Sequence, residues 1–177
     1  YPEKNTTELL EICSQVYDCF VPAENIWHTT LENGNPEVHP GPSLLNAGRI
    51  DFSEGDFWLY REGITEHTVK IIKAIERERM EIGKAFGFQL ENAVQSRARR
   101  GYFSNEEEDL QTLFNTSEVF TQIKGPVSVN SRYFTEDISN GLVLWSDLGK
   151  VTGVPTPNID SVIILGGSIL EQDFYEE

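Results

Sequence analysis

The histidine that stands directly before a proline has the sequence context most suited to proton transfer. His39 lies inside a run rich in Gly, Asn and Pro, residues 33–42, and is followed by Pro40. Proline disfavours helical angles in the preceding residue, so we expect a loop that places His39 just before a short helix over 43–47, ending at Gly48. A neutral imidazole backed by a carboxylate is a general base. A structural histidine before proline is the alternative.

A second candidate segment runs from Arg132 to Asp137. The guanidinium of Arg132 is shaped to hold a carboxylate by two parallel hydrogen bonds, and Asp137 could orient an imidazole. Positions five apart point about 140° apart on a regular helix, so both side chains face one pocket only if the segment turns, with Thr135 as an N-cap. The alternative is a surface Arg and an Asp in the first turn of a helix.

Motifs for other chemistry are absent from the sequence. It contains no GxGxxG and no GxxxxGK[ST], so nothing in it is built to cradle a dinucleotide or a triphosphate. It also lacks HExxH and GxSxG. The three histidines, His28, His39 and His67, do not have metal-ligand spacing, and we expect no metal site and no cofactor site within this chain.

Helical periodicity dominates the elements that must position these residues. The clearest helix is Glu66–Phe86, with Thr65 as its N-cap and Gly87 just after its end. Arg79 lies within its apolar stripe. We interpret Arg79 as a residue that buries its stem and pairs with a carboxylate, and the alternative is a contact with an anion.

The remaining segments predict a mainly α fold. A short strand is predicted over 127–133, where Val127, Val129 and Tyr133 alternate. Three arginines near residue 100 are expected to form a solvated basic face, with a substrate-anion role as the alternative: Arg97, Arg99 and Arg100. Further helices are predicted over residues 5–20, 90–100, 105–114, 142–151 and 158–170.

The amino-acid composition limits the kinds of molecule that this protein is expected to bind. Across 177 residues, 29 Asp and Glu outnumber 14 Lys and Arg, and the net charge of −15 disfavours nucleic acid and membrane surfaces. Cys13 and Cys19 are predicted to be free core thiols on one helix, which suits a reducing cytoplasm. We expect one helical domain over residues 1–177. Because the sequence begins Tyr1-Pro2, we interpret it as a fragment of a longer protein.

Several stretches together resemble one enzyme family. They follow the family's order, from about residue 25 to about residue 164. They are NGNPEVHP at 33–40, LLNAGRI at 44–50, YREGIT at 60–65, Glu76–Arg79, RYFTED at 132–137 with Gly141-Leu142, and GVPTP at 153–157. The 33–40 and 132–137 blocks are specific when taken together, and either alone is a weak signal. This set resembles the catalytic domain of opine dehydrogenases, with the octopine and nopaline dehydrogenase group as the nearest description.

The resemblance implies a fold and an activity. Opine dehydrogenases join an N-terminal Rossmann domain to a C-terminal helical domain of the 6-phosphogluconate-dehydrogenase-like type, and only the helical half is in this chain. They reductively condense an amino acid with a 2-oxo acid such as pyruvate, or catalyse the reverse oxidation. NADH or NADPH would then be held mainly by the missing Rossmann domain, and the chain alone would be inactive.

The resemblance also assigns residues. His39 matches the catalytic histidine and Asp137 its partner carboxylate. Arg132 matches a contact for a substrate carboxylate, and Asn35 matches an asparagine near the catalytic site. This set suits a reaction in which protons move near neutral pH while the cofactor supplies the hydride.

Two other functions stay open at this point. One is a non-catalytic helical module of the same fold that serves association or regulation, and the other is a dehydrogenase of an ordinary 2-hydroxy or 2-oxo acid. The joint presence of His39, Arg132 and Asp137 favours the opine dehydrogenase. A homodimer is one assembly to consider, beside the missing Rossmann domain as a partner.

Overall fold

The computed structural model describes residues 3–176, and every regular element in that range is helical. This confirms the mainly α fold class. None of the described helices is both long enough and apolar enough to cross a membrane. The α-helices of this range are α1 (Thr6–Cys13), α2 (Ile26–Leu31), α3 (Asn35–Val38), α4 (Pro40–Leu45), α5 (Ala47–Ser53), α6 (Glu66–Phe86), α7 (Ala93–Arg99), α8 (Leu110–Thr116), α9 (Arg132–Thr135), α10 (Val143–Thr152) and α11 (Pro157–Leu170).

Tighter and wider helical turns complete the described elements. Single 3₁₀ turns lie at Glu3–Asn5 and Phe120–Gln122. The first π turn is Leu59–Gly63, and the second π turn is Ile138–Leu142. Wide turns of this kind are rare and are often found at functional sites.

The central element is α6, whose predicted bounds are confirmed. Thr65 forms a reciprocal capping box with Thr68, and Gly87 takes the left-handed conformation at φ 85°. One end of α6 packs in an aromatic cluster with Phe57, Phe103 and Phe114, and the other packs in a cluster around Trp145 in α10. The long helix therefore joins two apolar cores.

The N-terminal segment departs from prediction. Helix α1 ends at Cys13 rather than at Phe20, and the Asn5 side chain makes no capping hydrogen bond. Cys13 is partly exposed and Cys19 is exposed, so the prediction that both are core residues is wrong, although both thiols are free. Because none of the residues of α1 is buried, tertiary packing does not extend the helix beyond two turns.

Proline starts helices where the sequence suggested a loop. Residues 35–45 form α3 and α4, because a proline in a first helical turn lacks an N–H that would be unsatisfied there anyway.

The predicted strand over 127–133 is also wrong. Within the described residues that segment has no strand partner, Val127 is exposed, and helix α9 begins at Arg132.

Candidate active site

The two halves of the expected proton-transfer pair are in contact. Nδ1 of His39 lies 2.8 Å from Oδ2 of Asp137, although 98 positions separate the residues along the chain. Each residue is only 8% exposed. Inside the protein such a pair interacts more strongly than it would in water.

His39 is fixed at the junction of α3 and α4. Its backbone N–H donates to the carbonyl of Asn35 at 3.0 Å, and its carbonyl accepts from the N–H of Ser43 at 3.0 Å. Pro40 occupies the first position of α4. The imidazole is thus held by a short helix on each side of it rather than by a loop.

Asp137 is held between α9 and the second π turn. Its N–H donates to the carbonyl of Arg132 and its carbonyl accepts from the N–H of Leu142, so both hydrogen bonds span five residues. Hydrogen bonds across five residues widen the helical turn here. This is the departure from a regular helix that lets Arg132 and Asp137 face one pocket. Thr135 is the last residue of α9 and not an N-cap, so that expectation is wrong.

A glycine brings these two segments together. A Cβ atom on Gly141, in the second π turn, would overlap the ring of Pro36 in α3. The absence of a side chain at Gly141 lets α3 approach closely, and α3 leads directly into His39. The close approach therefore helps to set the distance between His39 and Asp137.

Two tyrosines that sequence reasoning assigned no role surround the imidazole. The Tyr60 hydroxyl lies 2.7 Å from Nε2 of His39, and the Tyr133 ring stacks on the imidazole with centroids 3.9 Å apart and planes 7° apart. Burial raises the pKa of both tyrosine hydroxyls. Tyr60 belongs to the YREGIT stretch that resembles the family, but its spacing in the sequence does not link it to His39.

Arg132, Asn35 and Asp137 line one small cleft. The cleft has a volume of about 200 Å³. Three amide side chains border it, and its lining residues include Asn33, Asn35, Asn140, Arg132, Glu136 and Asp137. These groups can hold a small polar molecule that carries a carboxylate beside the His39–Asp137 pair.

The guanidinium of Arg132 is already engaged. Its Nε donates to the carboxylate of Glu136, one helical turn on, and this hydrogen bond raises the pKa of Arg132. The Arg132 side chain is 81% exposed. A carboxylate that bound to Arg132 would therefore have to share it with Glu136 or displace Glu136.

A buried ion cluster lies beneath the site. Nε of Arg79 donates to Glu37 at 2.9 Å, which confirms the expected pairing with a carboxylate. Arg97 is buried as well, with Nη1 3.7 Å from Glu37, so the prediction that it belongs to a solvated face is wrong, whereas Arg99 is exposed. Burial lowers the pKa of Arg97. Glu37 stands two residues before His39 and anchors α3.

The cleft does not fit a dinucleotide by itself. Its volume is below the roughly 300–1,000 Å³ of typical cofactor and ligand pockets. The sequence supplies no glycine-rich turn that leads into a helix N-terminus, which is the usual seat of a pyrophosphate. In the part of the chain that the structure describes, no group of three or more His, Cys, Asp or Glu side chains could hold a metal ion.

Comparison with known proteins agrees with this helical fold. Residues 22–170 match the family described as NAD/NADP octopine/nopaline dehydrogenase, alpha-helical domain. An opine dehydrogenase of Arthrobacter sp. (strain 1C) is 36% identical over 171 residues, which cover 95% of this chain and 46% of the relative. A vitopine synthase of Allorhizobium ampelinum is 26% identical over 145 residues, covering 82% of this chain and 40% of the relative.

These matches define the chain as a helical domain of an NAD- or NADP-dependent enzyme family. It belongs to the octopine/nopaline dehydrogenase family. The chain spans about half the length of the curated relatives it matches.

Proposed function

We propose that this chain is the catalytic and substrate-binding domain of an opine dehydrogenase. In this proposal it works with a dinucleotide-binding domain of the Rossmann type, and the whole protein condenses an amino acid with a 2-oxo acid such as pyruvate. The observation that carries the proposal is the buried contact between His39 and Asp137 beside a cleft lined by Arg132 and Asn35. The free thiols of Cys13 and Cys19 support a reducing compartment such as the cytoplasm.

The pair suits the proton transfers of such a condensation. His39 would accept a proton from the ammonium group, which frees the amine to attack the carbonyl carbon of the oxo acid. The same proton would then be returned to the hydroxyl that leaves as water when the imine forms. Asp137 would hold the proton on Nδ1 and stabilise the charged ring. Nicotinamide supplies the hydride in this family.

The cleft would orient the acid group of a substrate. Arg132 offers two parallel donors to a carboxylate, and the amide of Asn35 offers another. Glu136 on the same wall disfavours a second carboxylate close to Arg132 and favours an ammonium group. Both kinds of charge belong to an amino acid and a 2-oxo acid.

The central test joins the chain to a dinucleotide-binding domain and measures the oxidation of NADH and of NADPH. We expect oxidation that requires an amino acid and a 2-oxo acid together. Oxidation with the oxo acid alone would instead indicate a dehydrogenase of ordinary 2-hydroxy acids. No oxidation with any pair of substrates would favour the non-catalytic module.

The chain alone is expected to bind NADH and NADPH with a Kd weaker than about 1 mM, because it has no seat for the pyrophosphate. Isothermal titration calorimetry on the purified 177-residue chain measures this directly. A Kd in the micromolar range would contradict the proposal that another domain holds the cofactor.

Arg132 and Glu136 are expected to change substrate affinity in opposite directions. In the joined protein, Arg132→Lys keeps the charge but loses the planar two-point grip, so the KM of one carboxylate substrate should rise several-fold with little change in kcat. Glu136→Gln releases Arg132 from its partner and should lower that same KM. If neither variant changed any KM, the carboxylate would bind elsewhere.

A further inference from the structure

Both ring nitrogens of His39 are hydrogen-bonded within the chain. Asp137 occupies Nδ1 at 2.8 Å, and the Tyr60 hydroxyl occupies Nε2 at 2.7 Å. Tyr60 is only 3% exposed, so its hydroxyl is largely kept from water. The imidazole is thus held by a hydrogen bond at each nitrogen, and the Tyr133 ring stacks on one of its faces.

The hydrogen-bonding roles follow from Asp137. An ionised carboxylate can only accept, so Nδ1 carries the hydrogen and Nε2 of the neutral ring is an acceptor. The hydroxyl of Tyr60 must then donate to Nε2. Burial raises the pKa of Tyr60 well above its usual range, so the phenol keeps its proton.

A phenol is a suitable partner for a ring that gains and loses a proton. It donates to Nε2 when the ring is neutral and accepts from Nε2–H when the ring is charged. When Nε2 carries a proton, the hydrogen of Tyr60 needs a new acceptor. The hydroxyl of neighbouring Tyr133, which interacts with Tyr60, is placed to be that acceptor. Phenylalanine at position 60 would fill the same space but could do neither.

We propose that Tyr60 is a positioning residue that holds neutral His39 in the tautomer with hydrogen on Nδ1 and keeps the ring in one orientation in both of its protonation states. A substrate then meets a ring whose orientation is already set by its hydrogen bonds to Asp137 and Tyr60. The role in catalysis rests on the proposed function, whereas the grip on His39 belongs to the chain itself.

The first π turn gives Tyr60 this placement. The N–H of Ile64 donates to the carbonyl of Leu59 at 2.8 Å across five residues, which sets the turn around Tyr60. The Tyr60 ring packs against Phe114 and Phe120, with centroids 5.4 Å and 4.7 Å away. Asn115 also donates to the backbone carbonyl of Tyr60 at 2.7 Å. The hydroxyl is therefore held by packing and not by the bond to His39 alone.

The test is Tyr60→Phe in the 177-residue chain, read by ¹⁵N NMR of the histidine side chains near pH 8. In the parent chain we expect a hydrogen-bonded Nε2 acceptor and an Nδ1 donor at His39. Tyr60→Phe should move the Nε2 signal to higher frequency and leave the signals of exposed His67 unchanged. In the joined protein, kcat should fall roughly 10- to 100-fold while KM changes little, as for the loss of one hydrogen bond to a charged group.

Tyr102→Phe is the matched control. Tyr102 also packs against Phe120, but it is exposed and lies outside the His39 contacts, so its loss should change neither the Nε2 signal nor kcat.

An unchanged Nε2 signal in folded Tyr60→Phe, or an unchanged kcat, would overturn the proposal. Should Tyr60→Phe fail to fold, the parent chain still decides, because a bonded Tyr60 hydroxyl proton must show a nuclear Overhauser effect to the His39 ring. An inactive parent protein with the expected NMR signals would overturn the proposed function and leave the grip on His39 supported.

Discussion

Replacement of His39 by glutamine in the joined protein is expected to lower kcat by roughly 10²- to 10⁴-fold, the usual contribution of a general acid–base. Glutamine keeps a polar side chain but cannot take up and return a proton near neutral pH. The contact of His39 with Asp137 at 2.8 Å is the geometry that this prediction depends on. Steady-state kinetics with saturating amino acid and 2-oxo acid measure the effect.

His67→Gln is the control for this experiment. His67 is exposed near the start of α6 and lies outside the site, so its loss should leave kcat unchanged. Because the variant could also act through folding, the free energy of unfolding of His39→Gln must be measured beside its kinetics. A folded His39→Gln protein with parental kcat would show that His39 is a structural histidine.

Replacement of Arg79 by methionine is expected to reduce the free energy of unfolding by about 3–5 kcal/mol, because it removes the hydrogen-bonded partner of buried Glu37 and leaves it only the more distant Arg97. Arg79 is 3% exposed and Glu37 only 1%. Arg79 also donates to the carbonyls of Leu31 and Glu91, each at 2.8 Å, so the variant leaves those groups without this partner. Urea unfolding of the chain, followed by circular dichroism, measures the change.

Arg99→Met serves as the comparison. Arg99 pairs with Glu91 at 2.7 Å, but this pair is partly exposed, and such pairs contribute about 0–1 kcal/mol. Adding Glu37→Gln to Arg79→Met also takes the nearby carboxylate from buried Arg97, so the effects of the two substitutions should not be additive. Equal losses for Arg79→Met and Arg99→Met would contradict the assignment of Arg79 to a buried structural pair.

Local signals explain which helices the sequence predicts well. Helix α6 has a capping residue at Thr65, a C-terminal Gly87 and a long apolar stripe, and all three agree. Residues 127–133 carry only alternation, and a strand also needs a hydrogen-bonded neighbour, which alternation cannot supply. Prolines 36 and 40 read as loop signals, yet each stands where a helix starts.

The site was predictable only in part. Family resemblance supplied His39 and Asp137, but no local rule joins residues 98 positions apart. The engagement of Arg132 by Glu136 follows a four-residue helical spacing, which could have been read once α9 was known. The role of Tyr60 depends on the tertiary packing of the aromatic cluster, so its spacing in the sequence carried no signal.

The second π turn has a consequence for comparing sequences. A π turn is equivalent to an α-helix with one inserted residue, and each residue of an α-helix accounts for about 100° of rotation. Deleting one residue between Ile138 and Leu142 would restore α-helical register and swing Asp137 away from His39. A one-residue gap at this place in an aligned homologue would therefore mark a protein that has lost the pair while keeping the fold, even where both side chains are still present in its sequence.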